Sequence, residues 1–449
     1  MTAAVAAAQS GLASILGAGR VVADESARAA LAVDGRVPGL VVFPQSSEQV
    51  AAVLRYAGEQ QLAVIPCRNA TKLGVGNPPR RYDIALCLKE MNRVWHYEPA
   101  DLTVSVEPGM KFGDFLHFVG RHGLWLPLDP AGGARASLGG IVATNSAGPL
   151  RLSYGAPRDM VIGMKIATSE GKIIKAGGRV VKNVAGYDMA KLLIGSFGTL
   201  GVIVELSFKL FPLPVERGTF VIPAGTLGIG RDIRRRVLES PLNPMRMVLL
   251  DAVASALVRQ GTPFAAEVKE PEIWIEFGGS GKTLDRCARE LGDLGKAAGA
   301  PVQGLESASA EGVWARIGDF HGFLCEASPK VVILKVALPG AAGEEFLSRA
   351  NQEAASEGIR VASFTQGGVG VIHLGLLDEA AGLVALISRL RTAAEDLGGA
   401  LVVERCAPEL KDRLDVWGPS GDDFCVMSKL KAVWDPKGIL SPGRYVGGL

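Results

Sequence analysis

Residues 137–148 read SLGGIVATNSAG, 154–155 YG, 182–188 KNVAGYD and 195–203 GSFGTLGVI, and this interrupted block decides how the chain is understood. Gly139, Gly140, Gly148, Gly155, Gly186, Gly195, Gly198 and Gly201 can take positive φ or let a ligand touch the backbone directly. Thr144, Asn145, Ser146 and Asn183 add short polar arms. Small residues gathered in this way suit a large rigid ligand, such as a nucleotide carrying an apolar ring system.

Outward from the block, residues 40–214 are rich in short β-forming runs broken by Gly, Pro or Asp: VVFP, LAVIP, DIALCL, LTVSVEP, MKIAT, KIIKAGG and VIVELSFKLFP. Between them the apolar spacing predicts helices over 47–59, with Ser46 or Ser47 as N-cap, and over 112–122. Pro212 and Pro214 end this α+β unit, placed at 1–215. Beyond it the units lengthen. Strands RMVLLD, EIWIEFGG, KVVILKVALP and GVGVIHLGL alternate with helices near 226–239, 281–297, 342–357 and 378–396, a second α+β domain at 216–405. A tail, 406–449, follows; its pattern alone does not say which domain it packs on.

At 449 residues and 48% hydrophobic the chain fills two cores. Its 48 Lys and Arg against 46 Asp and Glu give no general field toward nucleic acid or an anionic membrane, and RDIRRR at 231–236 reads as the wet face of a helix. The six cysteines show no zinc or iron–sulfur spacing and suggest a reducing, cytoplasmic setting. The apolar start has no basic residue before Arg20 and reads as an Ala-rich helix rather than a secretion signal. No apolar run reaches the roughly 20 residues of a membrane span, so attachment to the inner membrane would be peripheral, through partners.

GGSGKT at 278–283 imitates a phosphate-binding loop, but that pattern needs glycine at 276, where Glu276 stands; a glycine-rich turn suffices. GxGxxG is absent, which disfavours a Rossmann enzyme. PLDP (127–130), SLGGIVATNSAG, Arg151 with Tyr154 and Gly155, KNVAGYD, GSFGTLGVI and DPKGILSPG (435–443) together resemble the FAD-linked oxidases of the vanillyl-alcohol oxidase type, a likeness spanning nearly the whole chain. Within that family the chain is most similar to the FAD-binding subunits of bacterial glycolate oxidases, which CAPELKDRLDVWGPSGDDF (406–424) also resembles. The resemblance implies a two-domain PCMH-type FAD-binding fold, a ferredoxin-like α+β cap and a tail returning to the first domain. It implies flavin contacts at Ser137, Leu138, Gly139, Gly140, Thr144, Ala147, Gly148, Tyr154, Gly198, Gly201, Val202 and Ile203, and at a pyrophosphate loop of Cys67, Arg68, Asn69, Ala70, Thr71, Lys72 and Leu73.

Two departures bear on mechanism. The loop reads PCRNATKLGVG (66–76) where relatives read like PRGGGTSLTGG, so Arg68, Asn69 and Ala70 replace glycines. Asn69 tolerates left-handed geometry, Ala70 does so at a cost, and Arg68 or Lys72 can compensate by charge. With no histidine in the loop the FAD is expected to be non-covalent, and Cys67 reads as a small buried side chain. The second departure is in the cap. The family's metal-binding HxGDGNxH corresponds to residues 366–373, where Gln366 and Val369 replace the first His and the Asp while His373 remains; SxEHG corresponds to 402–406, keeping Glu404 and substituting Arg405 for His. His373 and Glu404 alone would under-coordinate an ion, so no metal is expected. His373 is the candidate base, Arg405 the candidate clamp for a substrate carboxylate, and Glu404 their neighbour; the alternative is a satisfied strand histidine at 373 and a Glu404 paired with a nearby cation, which leaves the FAD as a structural or auxiliary electron centre. The other histidines, His321 among them, form no constellation.

The expectation is an FAD-binding subunit of a glycolate (2-hydroxy acid) oxidase or dehydrogenase, partnered by an FAD paralogue that keeps the metal motif and by an iron–sulfur subunit. Two alternatives are a self-sufficient FAD-dependent 2-hydroxy acid dehydrogenase and a flavin-free structural subunit.

Overall fold

The computed structural model describes residues 3–179, 187–265, 267–340 and 342–449, and only the backbone of 3–6, 307 and 308. Residues 182–186 of KNVAGYD, with Asn183 and Gly186, lie outside the described residues.

The first half opens with an Ala-rich helix, Ala3–Leu16, and two sheets. Strands β1 (Val21–Val22), β2 (Leu40–Val42), β3 (Val64–Cys67) and β4 (Ile84–Cys87) form one in the order β1-β2-β4-β3, with β2, β4 and β3 parallel. Parallel neighbours need a crossover, and helix Ser47–Glu59 supplies it. The Ser46 hydroxyl accepts from Gln49 N at 3.3 Å and starts the helix. Its 3.6-residue period then buries Val50, Val53, Leu54 and Ala57 against Leu40, Val64, Ile84 and Leu86. Leu54→Ala in this packing would cost about 2–5 kcal/mol.

Strands β5 (Val94–Glu98), β6 (Thr103–Val106), β8 (Val161–Ala167), β9 (Ile173–Gly177) and β10 (Val202–Lys209) make an antiparallel sheet ordered β5-β6-β10-β8-β9. The short β7 (Leu124–Trp125) pairs with β11 (Phe211–Pro212). SLGG opens a helix, Leu138–Ala143, because Ser137 Oγ accepts from Gly140 N at 3.2 Å. The second helix expected, 112–122, stops at Gly120.

The second half is one eight-stranded antiparallel sheet of β12 (Glu216–Pro223), β13 (Arg246–Leu250), β14 (Glu272–Gly279), β15 (Gln303–Leu305), β16 (Val332–Ala337), β17 (Val361–Gln366), β18 (Val371–Leu376) and β19 (Ala400–Arg405). Its order, β15-β12-β14-β13-β17-β18-β16-β19, shows two consecutive βαββαβ units of ferredoxin-like topology. They join edge to edge where Val248, Leu249 and Leu250 pair with Gln366, Thr365 and Phe364. Helix Leu383–Asp396 starts five residues later than expected, because Asp378 is held in a turn by Arg360, accepting from its N at 2.8 Å and from its guanidinium. Ser280 N-caps helix Gly281–Ala297, so GGSGKT is a strand-to-helix turn. Between the units lie helices Ser307–Gly318 and Phe320–Ala327, which sequence periodicity did not reveal.

The tail reaches back to the first half. Ser441 N donates to Val64 O at 2.9 Å and Val64 N to Ile439 O at 2.7 Å, extending the parallel sheet beyond β3. Asp435 fixes that segment by accepting from the amides of Ile439 and Leu440 and from Lys431. Among the described residues no helix is long and apolar enough to cross a membrane.

Candidate active site

A cavity of about 870 Å³ lies between the eight-stranded sheet and the first half, in the size range of small-molecule and cofactor sites. Asn69, Ala70, Thr71, Lys72, Thr144, Ala147 and Gly148 line it on one side, and Lys335, Gln366, His373, Glu404 and Arg405 on the other. A smaller cavity of about 90 Å³ is lined by Cys67, Arg68, Ser137, Gly139, Gly140, Gly198, Gly201, Val202 and Ile203. Three residues expected at the flavin line neither cavity, and their side chains pack in or against the core. Leu138 is fully buried in the core beside the antiparallel sheet, Leu73 packs against the apolar cluster of Val41, Ile65 and Tyr82, and Tyr154 sits edge-on to Trp125 and Phe211 at 5.5 and 5.3 Å.

The glycines of the cleft answer mainly to packing. A Cβ at Gly148 would lie 2.3 Å from Asp129 O, and one at Gly201 2.5 Å from Ile166 Cγ2. The result is a floor of backbone and short polar side chains, which fits the edge of a nucleotide. Ala70 stands in the left-handed region at φ 57°, strain of about 1–2 kcal/mol that glycine would avoid. Arg68 spends its Nε–H on Gly109 O at 3.0 Å and bonds Asn69 Oδ1, while the Asn69 amide donates to Arg135 O. These two substituted residues therefore brace the loop. Lys72 is enclosed, donates to Thr144 Oγ1 at 3.4 Å, and burial pulls its pKa down to about 8.

Across the cavity the sheet register assembles charge. Lys335 on β16 pairs with His373 on β18. On β19, Val403 pairs with Leu334 and Arg405 with Ile333, so Glu404 is the extra residue of a bulge, a device that re-aims a side chain. His373 is buried and stacked on Phe364, its register partner, with ring centroids 5.4 Å apart. Burial, partly opposed by Glu404, pushes its pKa down to about 3, so the ring is neutral at pH 7. Arg405 is exposed and donates to Pro329 O at 3.4 Å.

His321, dismissed on sequence grounds, joins this group from helix Phe320–Ala327. Its Nε2 lies 2.6 Å from Glu404 Oε2, His373 Nε2 lies 3.8 Å from the same oxygen, and Lys335 Nζ lies 3.7 Å from Glu404 Oε1. Burial raises the Glu404 pKa, but His321, Lys335 and His373 outweigh it and hold the carboxyl well below its usual range. Asp319 fixes the helix's approach by accepting from Gly132 N at 2.8 Å. The ligand atoms of His321, His373 and Glu404 lie within 4.8 Å of one another and can hold a divalent ion. The reason for expecting no metal, that His373 and Glu404 stand alone, is thereby corrected. One signal for His321 was available: its neighbours Asp319, Phe320 and Gly322 place a polar residue, an aromatic and a small residue around a histidine.

The model of the FAD binding domain matches residues 38–177, and that of the FAD linked oxidases' C-terminal domain matches 229–445. The chain is 26% identical over 421 residues to the glycolate oxidase subunit GlcD of Bacillus subtilis, covering 91% of this chain and 89% of that one. It is 29% identical over 416 residues to the D-lactate dehydrogenase of Archaeoglobus fulgidus, covering 91% of each. The structure of 4-ethylphenol oxidase from Gulosibacter chungangensis, in its isoeugenol complex, superposes with a TM-score of 0.79 at 18% identity, covering 99% of this chain and 97% of that one, and shares its fold. The cleft of backbone and short polar groups fits the cofactor these matches imply, and the chain belongs to the FAD-linked oxidases, an oxidoreductase with FAD as its cofactor.

Proposed function

We propose that the chain is the FAD-binding subunit of a 2-hydroxy acid oxidase or dehydrogenase and that a small 2-hydroxy acid, glycolate or D-lactate, reacts at its own flavin. The carrying observation is the cluster of His321, Glu404 and Lys335 facing the same cavity as residues 69–72 and 144–148. Bound FAD would supply the acceptor for the hydride, which carries both electrons from the substrate carbon. Lys335 offers an ammonium to the substrate carboxylate, a task expected of Arg405, which instead lies exposed at the rim. Glu404 orients His321 at 2.6 Å, so His321 takes the hydroxyl proton. His373, neutral and stacked on Phe364, shapes the wall and does not act as the base. Electrons then pass to an iron–sulfur partner, since the cysteines here are scattered and carry no cluster spacing; the naming of a relative as a subunit supports such an assembly.

Anaerobic addition of glycolate or D-lactate to the purified lone chain tests this. Loss of the oxidised flavin absorbance is expected. A flavin that stays yellow with both acids, in a protein that binds FAD, would make that FAD an auxiliary electron centre and place the substrate chemistry on a partner subunit.

A further inference from the structure

Four successive carbonyls of the loop after Thr71 are held by two cations of the tail. Arg444 Nη2 donates to Leu73 O at 2.6 Å and to Val75 O, and Lys411 Nζ donates to Gly74 O at 2.6 Å and Gly76 O at 3.0 Å. Lys411 also pairs with Asp34 at 2.9 Å, and its side chain is 2% exposed. Gly76 stands at φ +97° with no room for a Cβ, which would lie 2.6 Å from Arg444 O. In a planar trans peptide the N–H points away from the carbonyl, so the carbonyls of 73–75, drawn to the tail, turn the N–H groups of 74–76 to the other side. Val75 N–H bonds Lys72 O and Asn77 N–H bonds Arg444 O, leaving those of Gly74 and Gly76 without a partner among the described residues. Gly74 lines the large cavity and has open space beside it.

We propose that Lys411 and Arg444 are positioning residues for the FAD pyrophosphate: from behind the loop they turn and polarise its peptides so that N–H groups face the anion, restoring what Arg68, Asn69 and Ala70 took from the glycine-rich loop. This rests on the reading of residues 66–76 as the pyrophosphate loop. The test compares FAD, ADP and riboflavin binding to apoprotein of the full chain and of its Lys411→Met and Arg444→Met variants. A rise of tenfold or more in Kd is expected for FAD and ADP, with riboflavin unchanged, and Arg444→Lys should recover part of the loss. Unchanged Kd values in a folded variant, or an equal loss for riboflavin, would overturn the clamp and leave a purely structural strap. Should both Met variants fail to fold, hydrogen exchange of the native chain decides: added ADP is expected to slow the amide of Gly74, and no slowing there would overturn the proposal. A native chain that binds FAD without any affinity for ADP would overturn the pyrophosphate reading of the loop and the clamp with it.

Discussion

Glu404→Gln keeps the shape of the bulge residue and removes its charge. The carboxylate lies 3.7 Å from Lys335 Nζ and 2.6 Å from His321 Nε2. At an effective dielectric of about 20, a unit pair at the longer distance interacts by about 4–5 kcal/mol. Lys335 is more than a third exposed, and solvent screening reduces this to about 1–3 kcal/mol. If the pair sets the orientation of His321 and Lys335 in the reaction, the loss falls on the rate of flavin reduction, about tenfold to a hundredfold. Stopped-flow absorbance under anaerobic conditions measures that rate directly, and FAD content measured on the same sample separates it from cofactor loss. FAD content should hold, because Glu404 is on the opposite wall from residues 137–148. A variant that reduces its flavin at the native rate would refute the assignment of Glu404.

Three further outcomes follow from the same geometry. Lys72 is a cation below its lowered pKa of about 8 and neutral above, so FAD, an anion, should bind less tightly as pH rises past 8; a flat profile is expected for Lys72→Met by fluorescence titration. Zinc at His321, His373 and Glu404 would occupy the base, so added Zn²⁺ should inhibit flavin reduction reversibly with EDTA, and His373→Ala should blunt the effect; activation by zinc would show the ion belongs to the reaction. Asp129, pushed up to about 6 mainly by burial, has a folded pKa above its unfolded value of about 3.9. Its contribution to stability is therefore fully present below about pH 3.9 and lost as pH rises through 6, and the pH dependence of stability from urea titrations of the native chain and Asp129→Asn should differ most in slope between about pH 4 and 6.

The lining of the two cavities on the first half was legible because it depends on residue type at a local spacing: Thr144 with Gly148 line the large cavity, and Ser137 with Gly139 and Gly140, and Gly198 with Gly201, line the small one. The cap chemistry was less legible. His321 and Glu404 are far apart in sequence and meet through a helix between two sheet units and a one-residue bulge, neither of which leaves a periodic trace. Arg405 was singled out by its place in a motif and Lys335, which belongs to no motif, was not; the structure leaves Arg405 exposed. The contacts of Lys411 and Arg444 were invisible for another reason: their acceptors are backbone carbonyls, which every residue carries. The twofold βαββαβ plan was also concealed, since the two units share topology while their residues differ.

That plan divides labour inside the cap. Lys335, His373 and Glu404 all stand on strands of the second unit, while the first contributes its edge strand at a seam of three residue pairs and, among the described residues, no charged group to the cavity wall. The first unit is thus a buttress: it holds the second unit by the edge of β13 and the first half by Met245 against Trp125 and Leu150 and by Pro244 O, which accepts from Ser153 Oγ at 2.7 Å.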